Sequence, residues 1–364
     1  MTTIHWLELQ DFRCHETLKF DPSEGVNVLL GDNGAGKTSV LEAIAYGSAL
    51  RSFRGAPDRA LVLEGENQGI LRLGYGSPQT KGEIEVSIPR EGRRRVLLNG
   101  KRPGTNADLA RAFPTVSFLP DDLDLVKGPP DLRRSLFDLL AAQLSPLAGA
   151  AQRDFARALR QRNALLKQDG RASDLATLAV WDDRVSAAGA EVTLYRLDAM
   201  TRLGPLLEEA YRSVSSSGEV RVKYRSSWYQ IEKKPEMEIL QAALHESLTT
   251  CRTRDMDLRG TTAGPHRDKP WLELSGRPAR SEASQGEQRS LALSLRLASF
   301  ELIEAATGKT PVLLLDDVFS ELDPVRAEKA MELIPRAQVF VTSARDDEVP
   351  VRGRRWAVKA GSIQ

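Results

Sequence analysis

The chain has 364 residues, enough for two domains at roughly 150 residues each. Its 51 Lys plus Arg against 50 Asp plus Glu leave a formal charge of +1, so any affinity for a polyanion has to come from local patches. A hydrophobic fraction of 41%, with 27 Gly, 19 Pro and only two cysteines, Cys14 and Cys251, excludes a collagen-like or wholly disordered chain and a disulfide scaffold.

The first thirty residues read as strands: Ile4 to Leu9 alternates, Phe12-Arg13 follows, and Gly25 to Leu30 is a mostly apolar run. Gly31 to Lys37 is a glycine-rich loop, and Thr38 to Ala49 continues with Val40, Leu41, Ile44 and Ala45 on one helical face. Residues 70 to 98 alternate as antiparallel strands, with turns at Glu91-Gly92 and Asn99-Gly100. Thr115 to Leu119 is a further short strand closed by Pro120.

From Asp131, a candidate N-cap, the period changes to helical, with Leu132, Leu136, Leu139 and Leu140 on one face. Ser145-Pro146 opens a second helix that stops at Asp169-Gly170, and Ser173 starts a third running toward Ser215 to Gly218. A strand over Val220 to Tyr224, a helix from Pro235 to Arg252 and a loop from Gly260 to Asp268 follow. Trp271 to Leu274, a helix from Gln285 to Ala306 and the strands Val312 to Leu315 and Val339 to Val341 complete the series. No apolar stretch approaches the ~20 residues of a membrane span, and no basic region leads into an apolar one at the N-terminus. The expectation is a soluble, cytoplasmic protein without a membrane partner.

Gly31-Asp32-Asn33-Gly34-Ala35-Gly36-Lys37-Thr38 fits G-x-x-x-x-G-K-[ST] at every fixed position, between a predicted strand and a predicted helix. Glycines let successive N–H groups turn toward phosphate oxygens, and a helix N-terminus adds positive potential. Residues 31 to 39, Ser39 included, are therefore the expected ATP-binding loop. Lys37 is expected at the β- and γ-phosphates and the Thr38 hydroxyl on Mg²⁺. Val312 to Leu315 delivers Asp316 and Asp317 at a strand end, Asp316 to hold the metal and Asp317 to orient the attacking water or take its proton.

Ser284-Gln285-Gly286-Glu287-Gln288 opens the helix before that strand, and Ser320-Glu321-Leu322-Asp323 follows it. The order of phosphate loop, serine turn, acidic strand and Ser-x-Leu-Asp resembles the ABC-type ATPases. There the serine turn of one copy completes the phosphate site of the other, so Ser284, Gln285 and Gly286 are implied nucleotide-binding residues; a plain serine N-cap is the alternative. Leu7-x-Leu9-x-x-Phe12-Arg13, Phe118 to Leu123, Lys127 to Pro130 and Thr262 to Asp268 narrow the resemblance to the RecF recombination-mediator family. It spans nearly the whole chain and is weakest in the helical middle.

The resemblance implies an α/β fold: an ABC-type P-loop ATPase head with an antiparallel β subdomain, residues 1–123 and 253–364, and an inserted, mostly helical lobe, 124–252. It implies ATP-dependent homodimerisation, slow hydrolysis, binding of single-stranded or junction DNA, and loading of the RecA recombinase with RecR and RecO. Two departures bear on rate. Asp317 stands where many ABC ATPases carry Glu, and Thr342-Ser343 where many transporters carry a γ-phosphate-sensing His.

Candidate DNA contacts are Arg93, Arg94, Arg95, Lys101 and Arg102 in one hairpin region, and Arg153, Arg157, Arg160, Arg162 and Lys167 on one helix, with Arg13, Arg54 and Arg267 as alternatives. His5, His15 and His245 lack metal-ligand spacing and read as structural; His266 has no assigned role. A transporter ATPase shares the motif order but leaves far fewer residues between phosphate loop and serine turn. A long-armed chromosome-organising ATPase needs sustained heptads, which Pro146, Gly170 and the loop at Ser215 interrupt.

Overall fold

Ile4, Leu7, Leu9 and Phe12 bury one side of the first strand, β1 (Thr3–Phe12), and β2 (His15–Phe20) folds back on it with Phe12 opposite His15. The turn between them stands on Arg13, in the left-handed region at φ 56°. This computed structural model describes residues 1–364 apart from 78–79, 216–217, 232–234 and 321–336 and the side chains of Ser320 and Glu348.

After the hairpin come β3 (Val26–Leu30), α1 (Lys37–Ala49), β4 (Gln68–Ser77), β5 (Thr80–Pro89), β6 (Arg95–Leu98), α2 (Asn106–Ala112) and β7 (Thr115–Phe118). The middle of the chain is α3 (Asp124–Lys127), α4 (Pro130–Leu144), α5 (Pro146–Asp169), α6 (Leu175–Val214), β8 (Val220–Arg225), α7 (Met237–Thr250) and α8 (Arg252–Leu258). Then follow β9 (Lys269–Leu274), β10 (Arg277–Pro278), α9 (Ala279–Glu282), α10 (Gln285–Thr307), β11 (Val312–Asp316), β12 (Val339–Ser343), β13 (Arg354–Lys359) and β14 (Ser362–Ile363).

The chain divides into two units, one of residues 1–122, 210–216 and 289–364, the other of 123–209 and 217–288. The first contains two sheets. One is antiparallel, in the order β2-β1-β4-β5-β6; the other runs β14-β13-β3-β12-β11-β7, parallel from β13 to β7. Every residue of β11 and β12 is buried, as a parallel strand covered on both faces requires.

Helix α1 lies in the core that both sheets share, where Val40, Leu41 and Ile44 meet Leu71, Leu73, Ile84, Leu314 and Phe340. The sequence predicts one buried face. Because both sheets cover it, α1 is buried nearly all round, Glu42 included. Gly47 permits the approach, since a Cβ there would stand 2.7 Å from Leu73 Cδ2. Arg13 reaches Glu42 through two 2.8 Å bonds, and leaving that buried carboxylate without its partner costs about 3–5 kcal/mol.

The second unit packs Phe155, Val185, Val192, Leu240, Leu244 and Leu248 around a helical core, with a small sheet in the order β10-β9-β8. The expected return to the head at residue 253 differs from this division. Six residue pairs, Val220↔Leu274 to Arg225↔Lys269, tie β9 to β8 and place residues up to 288 in the second unit.

Local starts differ from expectation too. Asp131 is not the N-cap of α4: Pro129 is, with Pro130 supplying a preset φ at the first helical position. Helix α6 begins two residues after Ser173, and the Asp174 carboxylate receives the Thr177 N–H at 2.9 Å. The Asn99-Gly100 turn is as predicted, with φ 53° and 74°. Among the described residues no helix is long and apolar enough to cross a membrane.

Candidate functional site

Strand β3 runs into the loop from Gly31 to Gly36, and α1 starts at Lys37. Gly36 stands at φ 106°, a conformation L side chains rarely adopt, and has no spare room. A Cβ there would lie 2.8 Å from His15 Cε1 and 2.9 Å from Cys14 Sγ. Gly31 is closed by β13, with the Val358 carbonyl oxygen 2.2 Å from an added Cβ. The loop is tied internally by Ala35 N–H to the Asp32 carbonyl and externally by Gly361 N–H to the Ala35 carbonyl, both 3.1 Å. No side chain among the described residues caps α1, so its first N–H groups face the loop as donors for an anion. Asp32, Asn33 and Gly34 are exposed at the loop's tip.

Lys37 is buried and its ammonium donates to the Gly31 carbonyl at 2.5 Å and the Asp32 carbonyl at 2.9 Å. Burial lowers its pKa, against the opposing pull of Asp317, Asp316 and Asp32. The Thr38 hydroxyl donates to Asp316 Oδ1 at 2.8 Å, and Thr342 on β12 donates to the same oxygen at 2.7 Å. Thr342 Oγ1 also accepts the Asp317 N–H at 2.9 Å. Asp317 is exposed, with its backbone held at φ 50°. A hydroxyl and a carboxylate oxygen meeting beside the glycine loop are the hard donors Mg²⁺ takes, so Thr38 and Asp316 fit it. The Ser39 hydroxyl instead faces Cys14 Sγ, 3.9 Å away.

Two further residues support this arrangement, and His15 does so in the structural role expected of it. Thr342, which stands where many transporters carry His, links both carboxylates' positions to β12. His15 backs the loop, with Nδ1 2.6 Å from the Gly361 carbonyl and Nε2 3.2 Å from that of Gly36. Burial opposes its charge, but hydrogen bonds with Cys14 and those carbonyls raise its pKa, while Cys14 is lowered in turn by the His15 bond.

Ser284, Gln285 and Gly286 belong to the second unit. Ser284 caps α10: its N–H and hydroxyl both donate to Glu287 Oε2 at 2.7 Å, and its Oγ receives the Glu287 N–H at 3.3 Å. These bonds lower the Glu287 pKa. Gln288 fixes the preceding turn by donating to the carbonyls of Ala279, Arg280 and Ala283. Glu321, Leu322, Asp323 and the Ser320 side chain lie outside the described residues.

The remaining blocks are structural where their contacts are described. Asp122 accepts the Leu119 N–H at 3.0 Å and pairs with both ends of the Arg296 guanidinium, fastening α10 to the end of β7. Arg162 is not a DNA contact: it is wholly buried, bonded to Asp182 at 2.6 Å, Asp255 at 2.7 Å and Thr261 at 2.8 Å. Arg94 is likewise engaged by Asp58 at 2.8 Å, and Arg13 by Glu42. Arg54, Arg93, Arg95, Lys101, Arg102, Arg157, Arg160, Lys167 and Arg267 are exposed.

His266 lies against Phe155, and its Nε2 is 3.1 Å from the Thr261 carbonyl. Burial, with Arg267, Arg134 and Arg196 nearby, lowers its pKa from 6.5 to about 4. An unfolded chain therefore takes up a proton below pH 6.5 that the folded chain refuses until about pH 4, and stability is lost as pH falls through that window. Asp268 works in the opposite sense, because burial raises its pKa to about 6 and its protonation favours the folded form. Wild type and His266→Gln must therefore be compared. Between pH 7 and pH 5 wild type is expected to lose about 2 kcal/mol relative to the variant, read from urea midpoints; parallel profiles would refute it.

Residues 3–359 match the family described as RecF/RecN/SMC N terminal domain. The chain is similar to the DNA replication and repair protein RecF of Streptomyces avermitilis, 37% identical over 369 residues and 98% of each chain. It is 40% identical to that of Acidothermus cellulolyticus over 374 residues, again 98% of each. It is also similar to a solved structure of the recombination mediator protein RecF-ATP in the RecFOR pathway, with TM-score 0.93 and 28% identity, covering 100% of this chain and 97% of that one.

Proposed function

The chain belongs to the RecF family, with an ABC-type ATPase head, and on that premise we propose that it is an ATP-operated, DNA-binding switch of recombinational repair and replication-gap processing. The observation that carries this reading is the 2.8 Å bond from Thr38 to Asp316, two residues 278 positions apart that the fold brings together beside the phosphate loop.

The N–H groups of the loop and of the first turn of α1 bind the phosphates. Lys37 exchanges its bonds to the Gly31 and Asp32 carbonyls for the β- and γ-phosphates. Thr38 Oγ1 and Asp316 Oδ1 would hold Mg²⁺, which would supply positive charge against the negative charge of the phosphates. Thr342 keeps Asp316 aimed. Asp317 orients the attacking water and accepts its proton; its reach is one methylene shorter than that of Glu, which suits slow turnover and a long-lived bound state. Ser284, Gln285 and Gly286 of a second copy close the site from the other side, so ATP joins two heads.

The likeness to a relative described as a recombination mediator in the RecFOR pathway supports a partnership with RecO and RecR in loading RecA on single-stranded DNA. Sedimentation velocity tests the central step. A monomer without nucleotide and a dimer with ATP and Mg²⁺ are expected; one species under both conditions would refute ATP-driven pairing.

A further inference from the structure

Strand β8 is an edge of the second unit's sheet, and its register sets Arg221 opposite Glu273, Lys223 opposite Trp271 and Arg225 opposite Lys269. The acids on this face are engaged: Arg221 bonds Glu219 at 2.7 Å, and Lys223 bonds Glu273 at 2.9 Å. Arg225 and Lys269 have no carboxylate partner among the described residues, so the face carries uncompensated positive charge. The Arg225 guanidinium instead stacks 3.8 Å over the Trp271 ring.

Beside that stack the chain leaving β8 walls a cavity of about 550 Å³, with Trp228 and Tyr229 among its lining. The wall is held from below. Asp268, 1% exposed, accepts the Tyr224 hydroxyl at 2.6 Å and the Trp228 indole N–H at 3.0 Å. The Trp271 indole N–H has no acceptor among the described residues.

Aromatic faces, a flat guanidinium and unpaired cations suit a ligand that is itself flat and carries negative charge alongside. An unpaired nucleotide has that chemistry: its base stacks on the aromatic or guanidinium plane and its phosphate meets the cations. A duplex conceals its base faces. A proline-rich peptide also fits aromatic walls but has no use for the two cations. We propose that this cavity binds an unpaired nucleotide of single-stranded DNA, its base held between the Trp271–Arg225 stack and the Trp228–Tyr229 wall and its phosphates drawn to the positive charge of Arg225 and Lys269.

The inference rests on the DNA-binding reading for its polymer but not on the ATP site. Its test therefore uses the full chain without nucleotide, with fluorescence anisotropy of a labelled twelve-nucleotide oligothymidylate and of a duplex of equal length. Trp271→Ala is expected to weaken oligothymidylate binding roughly 5- to 150-fold, with Trp271→Phe restoring most of it. Arg225→Ala, an exposed change that leaves the core alone, should weaken it and reduce the steepness of its salt dependence by about 0.7. Duplex binding should be unchanged throughout. Unaltered oligothymidylate affinity in Trp271→Ala and Arg225→Ala, or equal losses for duplex, would overturn the assignment, as would displacement of the oligonucleotide from wild type by a proline-rich peptide. ATP-dependent sedimentation of the same variants reads the nucleotide site separately.

Discussion

Asp316→Ala is expected to slow ATP hydrolysis on the order of 10²- to 10³-fold, because in the proposed site it removes the oxygen that would hold Mg²⁺. Two protein hydroxyls converge on that oxygen, Thr38 at 2.8 Å and Thr342 at 2.7 Å. Truncation leaves both without their acceptor in a site where Asp316 is 7% exposed, so stability should fall as well, by about 1–3 kcal/mol. Asp316→Asn separates the two effects: it keeps the side chain's volume and one acceptor oxygen but loses the charge. Phosphate release and thermal midpoint measured on both variants check the assignment. Hydrolysis at the wild-type rate in either would remove Asp316 from the metal site.

Lys37→Ala should abolish ATP-dependent pairing at ordinary nucleotide concentrations. Lys37 is 8% exposed and its ammonium is already aimed at the loop, where two carbonyls receive it. Removing such a charge from its phosphate partners weakens binding on the order of 10²- to 10³-fold. The folded loop should survive, since Gly31, Gly34 and Gly36 set its path rather than the lysine. Calorimetric titration with ATP, with sedimentation of the same sample, gives the comparison. A variant that binds ATP and pairs like wild type would mean that the triphosphate lies elsewhere.

The phosphate loop, the Asp316 strand and the Asn99-Gly100 turn were legible because each is local: a glycine pattern, an apolar run ending in carboxylates, two residues suited to positive φ. The contacts that complete the site are not local. Thr342 reaches Asp316 across a parallel strand pair, and His15 fills the space behind Gly36 from the preceding hairpin, relations no period or spacing encodes. Arg162 shows the same limit from the other side. On a helix that also carries Arg153, Arg157 and Arg160 it reads as one more surface cation, and only Asp182 and Asp255, from elsewhere in the chain, make it a buried ion. Helix starts were misplaced by one or two residues where a proline or a neighbouring carboxylate set the boundary.

Strand β3, which launches the phosphate loop, has β12 and β13 as its two neighbours, so its partners are translated about 300 residues after it. At ribosomal rates of roughly 5–20 residues per second, the N-terminal apolar strand waits about 15–60 s for the chain that will flank it. The loop proposed to hold the nucleotide is therefore among the last parts of the nascent protein to be finished. A truncated product, released before the final strands emerge, has a complete glycine motif and no wall for it to lean on.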